Sequence, residues 1–359
     1  MSNYINDEIF YDAINLLKEM ISIPSVSREE NNVAEIIYNF AKKHLSECDI
    51  HRVNNNIIIK NSSYNAEKPS ILLNSHIDTV KPVEGWQHNP FFATEEEDKI
   101  YGLGSNDAGA SVVSLLSAFR ILKEKEQNYN LVFAASAEEE VSGKNGMELL
   151  VTILPPINFA IVGEPTKMQP ATAEKGLMVL DCCVNGVSGH AARNEGVNAI
   201  YKSIEYIEKF KNYEFKKVSP LLGKVKMSVT GINAGTQHNV IPDKCTFMVD
   251  IRPNGMYSNI EILNILKEEM NGCDIKARST RLNSSYIDER HPFVKRCEIM
   301  GLKAFGSPTL SDQALMPYAS VKIGPGDSSR SHTADEYILT SEIREAIELY
   351  VKLLDGLKL

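Results

Sequence analysis

Two histidines and a series of carboxylates stand at or near the ends of apolar runs in this sequence: His76 with Asp78, Asp107, the triplet Glu138-Glu139-Glu140, Glu164 and His332. Imidazole nitrogens and carboxylate oxygens, with no thiolate among them, suit zinc or a similar divalent cation. The donors outnumber what one tetrahedral site takes, and charge counting points to two ions. Three carboxylate ligands and one hydroxide would carry four negative charges, which balance two divalent cations in a site of low dielectric. Cations held roughly 3.5 to 4 Å apart by a shared carboxylate and hydroxide bring the pKa of that water toward neutrality. One carboxylate has to stay off the metal, to take the water's proton and later give it to a leaving amine. The triplet at 138–140 can supply both a ligand and that base; the residues alone leave open which of the three is the base.

The elements that must position these groups are legible in the apolar pattern. Ile71-Leu72-Leu73 runs unbroken into Asn74-Ser75-His76, the pattern of a strand buried on both faces of a parallel sheet. His76 then sits at the strand's carboxyl end, where open α/β sheets place their ligand sites. Asp78, two residues on, has the same-side spacing of extended chain and is a candidate acceptor for the second imidazole N–H. Residues 131–135 and 159–162 are similar runs, ending in the Glu triplet and in Gly163-Glu164. Apolar spacing of three and four predicts helices over 9–20 and, from a capping box at Ser27-x-x-Glu30, through Leu45. A small-residue helix carries Ala110, Val113, Leu116 and Phe119, and residues 56–60 form a further strand. The pattern resumes after about residue 281 with a helix near 292–300, a strand at 321–323 and a last helix over 341–357. Strands alternating with helices predict an α/β, doubly wound domain with a mostly parallel sheet over 1–174 and 282–359.

Residues 175–281 follow a different rhythm: strand, helix, strand, strand, helix, strand, with a capping box at Ser258-x-x-Glu261 opening the second helix. That order predicts an inserted ferredoxin-like α+β domain, one antiparallel sheet with two helices on one face.

A chain of 359 residues is long enough for two cores, and 43% hydrophobic with 24% charged residues describes a globular protein. The net charge of -9, with no long basic run, argues against a nucleic-acid partner. No apolar stretch is long enough to span a bilayer, so no membrane role is expected. The first residues lack a basic segment followed by an apolar one, and a cytoplasmic location is expected. Six scattered cysteines without a C-x-x-C pair are expected to be reduced thiols. His44, His51, His88 and His291 lie in helical or loop contexts without carboxylate companions and are read as structural or surface residues.

Five ordered motifs carry a family resemblance: Leu73-Asn74-Ser75-His76-Ile77-Asp78-Thr79-Val80, Gly102-Leu103-Gly104-Ser105-Asn106-Asp107-Ala108-Gly109, Ala137-Glu138-Glu139-Glu140-Val141, Gly163-Glu164-Pro165-Thr166 and Ser331-His332-Thr333-Ala334-Asp335-Glu336. Together they resemble the di-zinc deacylases and exopeptidases, a family that includes acetylornithine deacetylase, succinyl-diaminopimelate desuccinylase, aminoacylase and the glutamate carboxypeptidases. The match is most similar to the acetylornithine deacetylase type of arginine biosynthesis. The resemblance implies two zinc ions, with cobalt as a substitute. His76 and Glu164 would hold one, Glu140 and His332 the other, and Asp107 would bridge them through a loop with a cis peptide after Asp107. It also implies that Asp78 orients His76 and that Glu139 is the general base. The chain departs from the family at Glu138, where Asp is usual, and at Tyr101-Gly102, where Arg-Gly is frequent.

By the same resemblance the inserted domain is a lid and dimerisation domain in a homodimer. His190, in Gly189-His190-Ala191-Ala192, would reach the partner subunit's site and donate to the developing oxyanion. Asn239, Arg252 and Gly324 match substrate-facing positions, with Ser311-Asp312 beside them in the pocket wall; a guanidinium at Arg252 suits two parallel hydrogen bonds to an α-carboxylate. Lys175 and Arg193 are candidates to read the acyl group. The implied substrate is a small N-acyl amino acid such as N-acetylornithine or N-acetylcitrulline, with a desuccinylase or dipeptidase activity as the alternative. A small-molecule sensor built on the inserted unit is a reading from another class, supported by fold analogy alone. A serine hydrolase is disfavoured, because Gly186-Val187-Ser188-Gly189 is no G-x-S-x-G elbow.

Overall fold

The computed structural model describes residues 6–193 and 195–359. The very start of the chain, read above for a leader, lies partly outside them. The chain divides into two compact units, one holding residues up to Thr172 with Ile287–Phe305 and Ser311–Leu359, the other Ala173–Tyr286 with Gly306–Leu310.

The first unit is built on four parallel strands in the spatial order Asn130–Ser136, Ser70–His76, Phe159–Val162 and Ala319–Lys322. Asn56–Lys60 and then Asp49–Val53 extend one edge antiparallel, and Ala171–Glu174 pairs antiparallel at the other. Successive side chains of a strand point to opposite faces, so the run Ile71-Leu72-Leu73 needs cover on both. Ile71 and Leu73 pack with Phe133, Ile161 and the helices Asp7–Ile21, Asn31–His44, Ala110–Leu122 and Thr340–Leu354. Leu72 packs on the opposite face with Val132, Ala160, Met147 and Leu150. Leu73 is fully buried, and its truncation to Ala would cost roughly 2–5 kcal/mol. This cover on both faces leaves only the strand ends free for polar residues.

Local signals fix the helix starts unevenly. Asn6 caps the first helix by accepting the N–H of Ile9 at 2.8 Å. The capping box expected at Ser27 and Glu30 does not form: the helix begins at Asn31, and Glu30 makes no cap hydrogen bond. Glu30 is instead buried, accepting the N–H of Glu138 at 3.2 Å and the side-chain amide of Asn55 at 2.8 Å. Ser27 donates to Asp78 at 2.7 Å. Long-range acceptors for buried N–H groups outcompete the local cap, because an unpaired buried donor costs more than a solvated helix end.

In the second unit, Lys226–Ala234, Lys244–Arg252, Met178–Asn185 and Asp274–Ala277 lie side by side in that order, all antiparallel. Burial alternates along Met178–Asn185, and Leu180, Cys182 and Val184 pack with Phe210, Phe247, Ile262 and Leu266. Helix Asn259–Glu269 does open with a capping box of Ser258 and Glu261. All six cysteines are free, and among the described residues no helix is long and apolar enough to cross a membrane.

Candidate metal centre

His76 closes its strand as a buried residue, while Asp107, Glu139, Glu140 and Glu164 are partly buried and His332 is exposed. The structure brings all six together. The His76 Nδ1 lies 2.9 Å from the backbone carbonyl of Asp78 and 3.4 Å from its carboxylate. The carbonyl is therefore the nearer acceptor, where the sequence pointed to the side chain. A carbonyl only accepts, so Nδ1 carries a proton and Nε2 faces the cluster, where a cation that displaces its proton would find a lone pair. That Nε2 lies 3.2 Å from Asp107 Oδ1 and 3.8 Å from Glu164 Oε1. On the other side, His332 Nε2 lies 3.1 Å from Glu140 Oε1 and 3.5 Å from Asp107 Oδ2. Asp107 thus offers one carboxylate oxygen to each imidazole. The peptide after it is cis.

Two sets of ligand atoms fall within 4.8 Å of one another: His76, Glu139 and Glu164, and His76, Asp107 and Glu140. Lone pairs converging from nitrogen and oxygen repel unless a proton or a cation stands between them. The titration behaviour reflects this. Burial pushes the Glu139 carboxyl well up and Glu164 up to about 8. The hydrogen bond to Glu140 raises the His332 imidazole to about 9. Burial opposes the charged form of Asp107, but the adjoining His76 outweighs it and holds this carboxyl below the usual range. An N/O donor set with surplus negative charge and no thiolate fits divalent cations of the zinc type.

The Asp78 carboxylate has a second task beside its approach to His76. Its two oxygens accept the backbone N–H groups of Glu139 at 3.0 Å and Glu140 at 3.1 Å. Glu138 adopts φ 57° and turns away from the cluster, accepting the Asn145 side-chain amide at 2.8 Å. His332 also has a left-handed backbone, φ 59°, a conformation uncommon outside glycine.

Asp312 is buried, accepting from Ser136 Oγ at 2.6 Å and Asn74 Nδ2 at 2.9 Å, and burial lifts its pKa to about 6. Gly324 is buried too; a Cβ there would stand 2.5 Å from the Glu164 carbonyl oxygen. Glu336 accepts the N–H groups of Asn106 and Asp107, a contact no local pattern announces.

The other substrate candidates belong to the second unit. His190 and Asn239 are exposed neighbours: Gly189–His190 pairs with Val240–Ile241, and the Asn239 carbonyl accepts the N–H of Ala191 at 3.0 Å. Arg252 is bound by Asp250 through two hydrogen bonds of 2.9 and 3.1 Å. Lys175 donates to the Lys224 carbonyl at 2.9 Å. Three of the four histidines expected to lack carboxylate companions have one: His44 with Asp12 at 3.5 Å, His51 with Asp49 at 2.5 Å and His88 with Asp335 at 3.0 Å. His51 lies in a strand, on the same side as Asp49 two residues away, and Asp12 and Asp335 come from distant segments. Tyr101, where the family often has Arg, stacks on His88 with ring centroids 4.2 Å apart.

Comparison with known proteins places the chain among relatives. An acetylornithine deacetylase of Proteus mirabilis is 30% identical over 309 residues, 80% of this chain and 79% of the relative. A LysW-lysine/LysW-ornithine hydrolase of Sulfurisphaera tokodaii is 30% identical over 357 residues, 95% of this chain and 94% of the relative. Among solved structures, a Bacillus subtilis dinuclear metal-binding peptidase of family M20 shares the fold with a TM-score of 0.73 at 15% identity, covering 97% of this chain and 98% of that one. A model of peptidase family M20/M25/M40 matches residues 72–356, a span that takes in all six residues of the cluster, and the chain belongs to that family.

Proposed function

We propose that this hydrolase of the M20 family removes an Nα-acyl group, acetyl or succinyl, from a small amino acid, with N-acetylornithine or N-acetylcitrulline of arginine biosynthesis as its substrate. The observation that carries the reading is Asp107, whose two oxygens address different imidazoles within one cage of carboxylates. His76 and Glu164 are assigned to one zinc ion, Glu140 and His332 to a second, and Asp107 to both. When bound, the ions supply an acidified water and polarise the scissile carbonyl. Glu139 is assigned the proton relay: it would take a proton from the attacking water and return it to the departing amine, and its burial raises its pKa. Asp78 holds the backbone of Glu139 and Glu140 in place for these roles.

By resemblance alone, His190, Asn239, Arg252, Lys175 and Gly324 are assigned to the substrate and the second unit to a lid and homodimer contact. The free thiols support a cytoplasmic setting. A second reading, hydrolysis of LysW-linked lysine or ornithine, is favoured by the coverage of the Sulfurisphaera relative.

The test is kcat/KM for acetyl and succinyl derivatives of ornithine, citrulline and diaminopimelate, on protein reconstituted with zinc or cobalt. An N-acetyl substrate turned over only in the presence of metal is the expected result. Turnover that survives exhaustive chelation, or none with any acyl amino acid, would overturn it.

A further inference from the structure

Glu336 has no part in the chemistry above, yet it joins two of its components. Strand Tyr337–Leu339 pairs antiparallel with Lys99–Tyr101, and the pairing extends one step further, the N–H of Gly102 donating to the Glu336 carbonyl at 3.0 Å. That register turns the Glu336 side chain inward, where it is 2% exposed. Its Oε1 accepts the N–H groups of both Asn106 and Asp107, each at 2.9 Å. Two donors converging on one oxygen fix the orientation of successive peptide units, as in an anion-binding nest. Asp107 is the residue whose carboxylate faces both imidazoles, and His332 lies four positions before Glu336 in the chain. One side chain therefore ties the segment carrying one candidate ligand to the loop carrying the shared one.

The tie is made only in the folded chain: the two N–H groups belong to residues 230 and 229 positions away from Glu336, in the loop that carries Asp107.

We propose that Glu336 is a positioning residue for the metal centre, setting the backbone of Asn106 and Asp107 so that the Asp107 carboxylate stands between the two imidazoles and bridges two ions. The inference rests on the metal-centre reading given above.

The test compares the full-length protein with E336Q, E336D and E336A. Metal stoichiometry is read by elemental analysis, site-by-site affinity by calorimetry, and ligand geometry by the visible absorption of the cobalt-loaded forms, with thermal unfolding in parallel. Wild type is expected to bind two ions. E336D, whose oxygen is withdrawn by one methylene, and E336A are expected to bind the second ion roughly 10- to 100-fold more weakly. E336Q keeps an oxygen at the same reach and is expected to keep both ions and the wild-type cobalt spectrum. E336D that binds both ions as tightly as wild type, or E336Q that loses an ion as E336A does, overturns the inference alone. A wild type that takes up no stoichiometric metal overturns the underlying reading and this inference with it.

Discussion

The Asp78 carboxylate accepts the backbone N–H of Glu139 at 3.0 Å, across 61 residues of chain. Its second oxygen takes the N–H of Glu140, so one buried side chain fixes the turn that presents both the proposed base and a proposed ligand. Asp78→Ala should lower kcat/KM roughly 10- to 100-fold, mostly through kcat, because the turn loosens while the ligands remain. Steady-state kinetics with an N-acetyl amino acid would check this. A loss confined to KM would contradict it.

Glu139→Gln removes the proton acceptor and leaves the side chain's shape. A drop in kcat of roughly 100- to 10,000-fold is expected, with metal content unchanged at two ions. Elemental analysis alongside the rate separates this from a ligand loss. A variant that loses metal as well would move Glu139 into the ligand set.

Metal uptake should be linked to proton release. Glu164, raised by burial to about 8, and His332, raised by its hydrogen bond to Glu140 to about 9, both hold protons at neutral pH when no cation is bound. A cation needs them deprotonated, so affinity should rise with pH until those values are passed. Calorimetry in two buffers of different ionisation enthalpy would count the protons released. An affinity independent of pH between about 6.5 and 8 would count against the site.

Gly143 lies against Glu138: a Cβ there would sit 1.8 Å from its Oε2 and 2.6 Å from its Cβ. Glu138 is held by Asn145 and cannot swing aside without breaking that hydrogen bond. Gly143→Ala should destabilise the fold by roughly 1–3 kcal/mol, visible as a lower midpoint in chemical denaturation. An unchanged midpoint would mean the turn relaxes freely.

What the sequence makes legible follows from the range of the interactions involved. The strands ending in His76 and before Glu164 announce themselves, because a strand buried on both faces has to be apolar throughout. Edge strands such as Asp49–Val53 and Tyr337–Leu339 went unread, being short and half-exposed with no such requirement. The two S-x-x-E patterns are indistinguishable locally. Ser258 and Glu261 form the box, whereas Glu30 is drawn to an N–H 108 residues away. Glu336 stands in a motif with His332, but its partners lie 230 and 229 residues distant, and no periodicity encodes them.

All the candidate ion donors reside in the first unit, and residues 173–286 interrupt it as an insertion with a hydrophobic centre of its own. An exchange of the interrupting segment would therefore leave the scaffold of the ion donors in place, while any substrate contacts that segment carries would change with it.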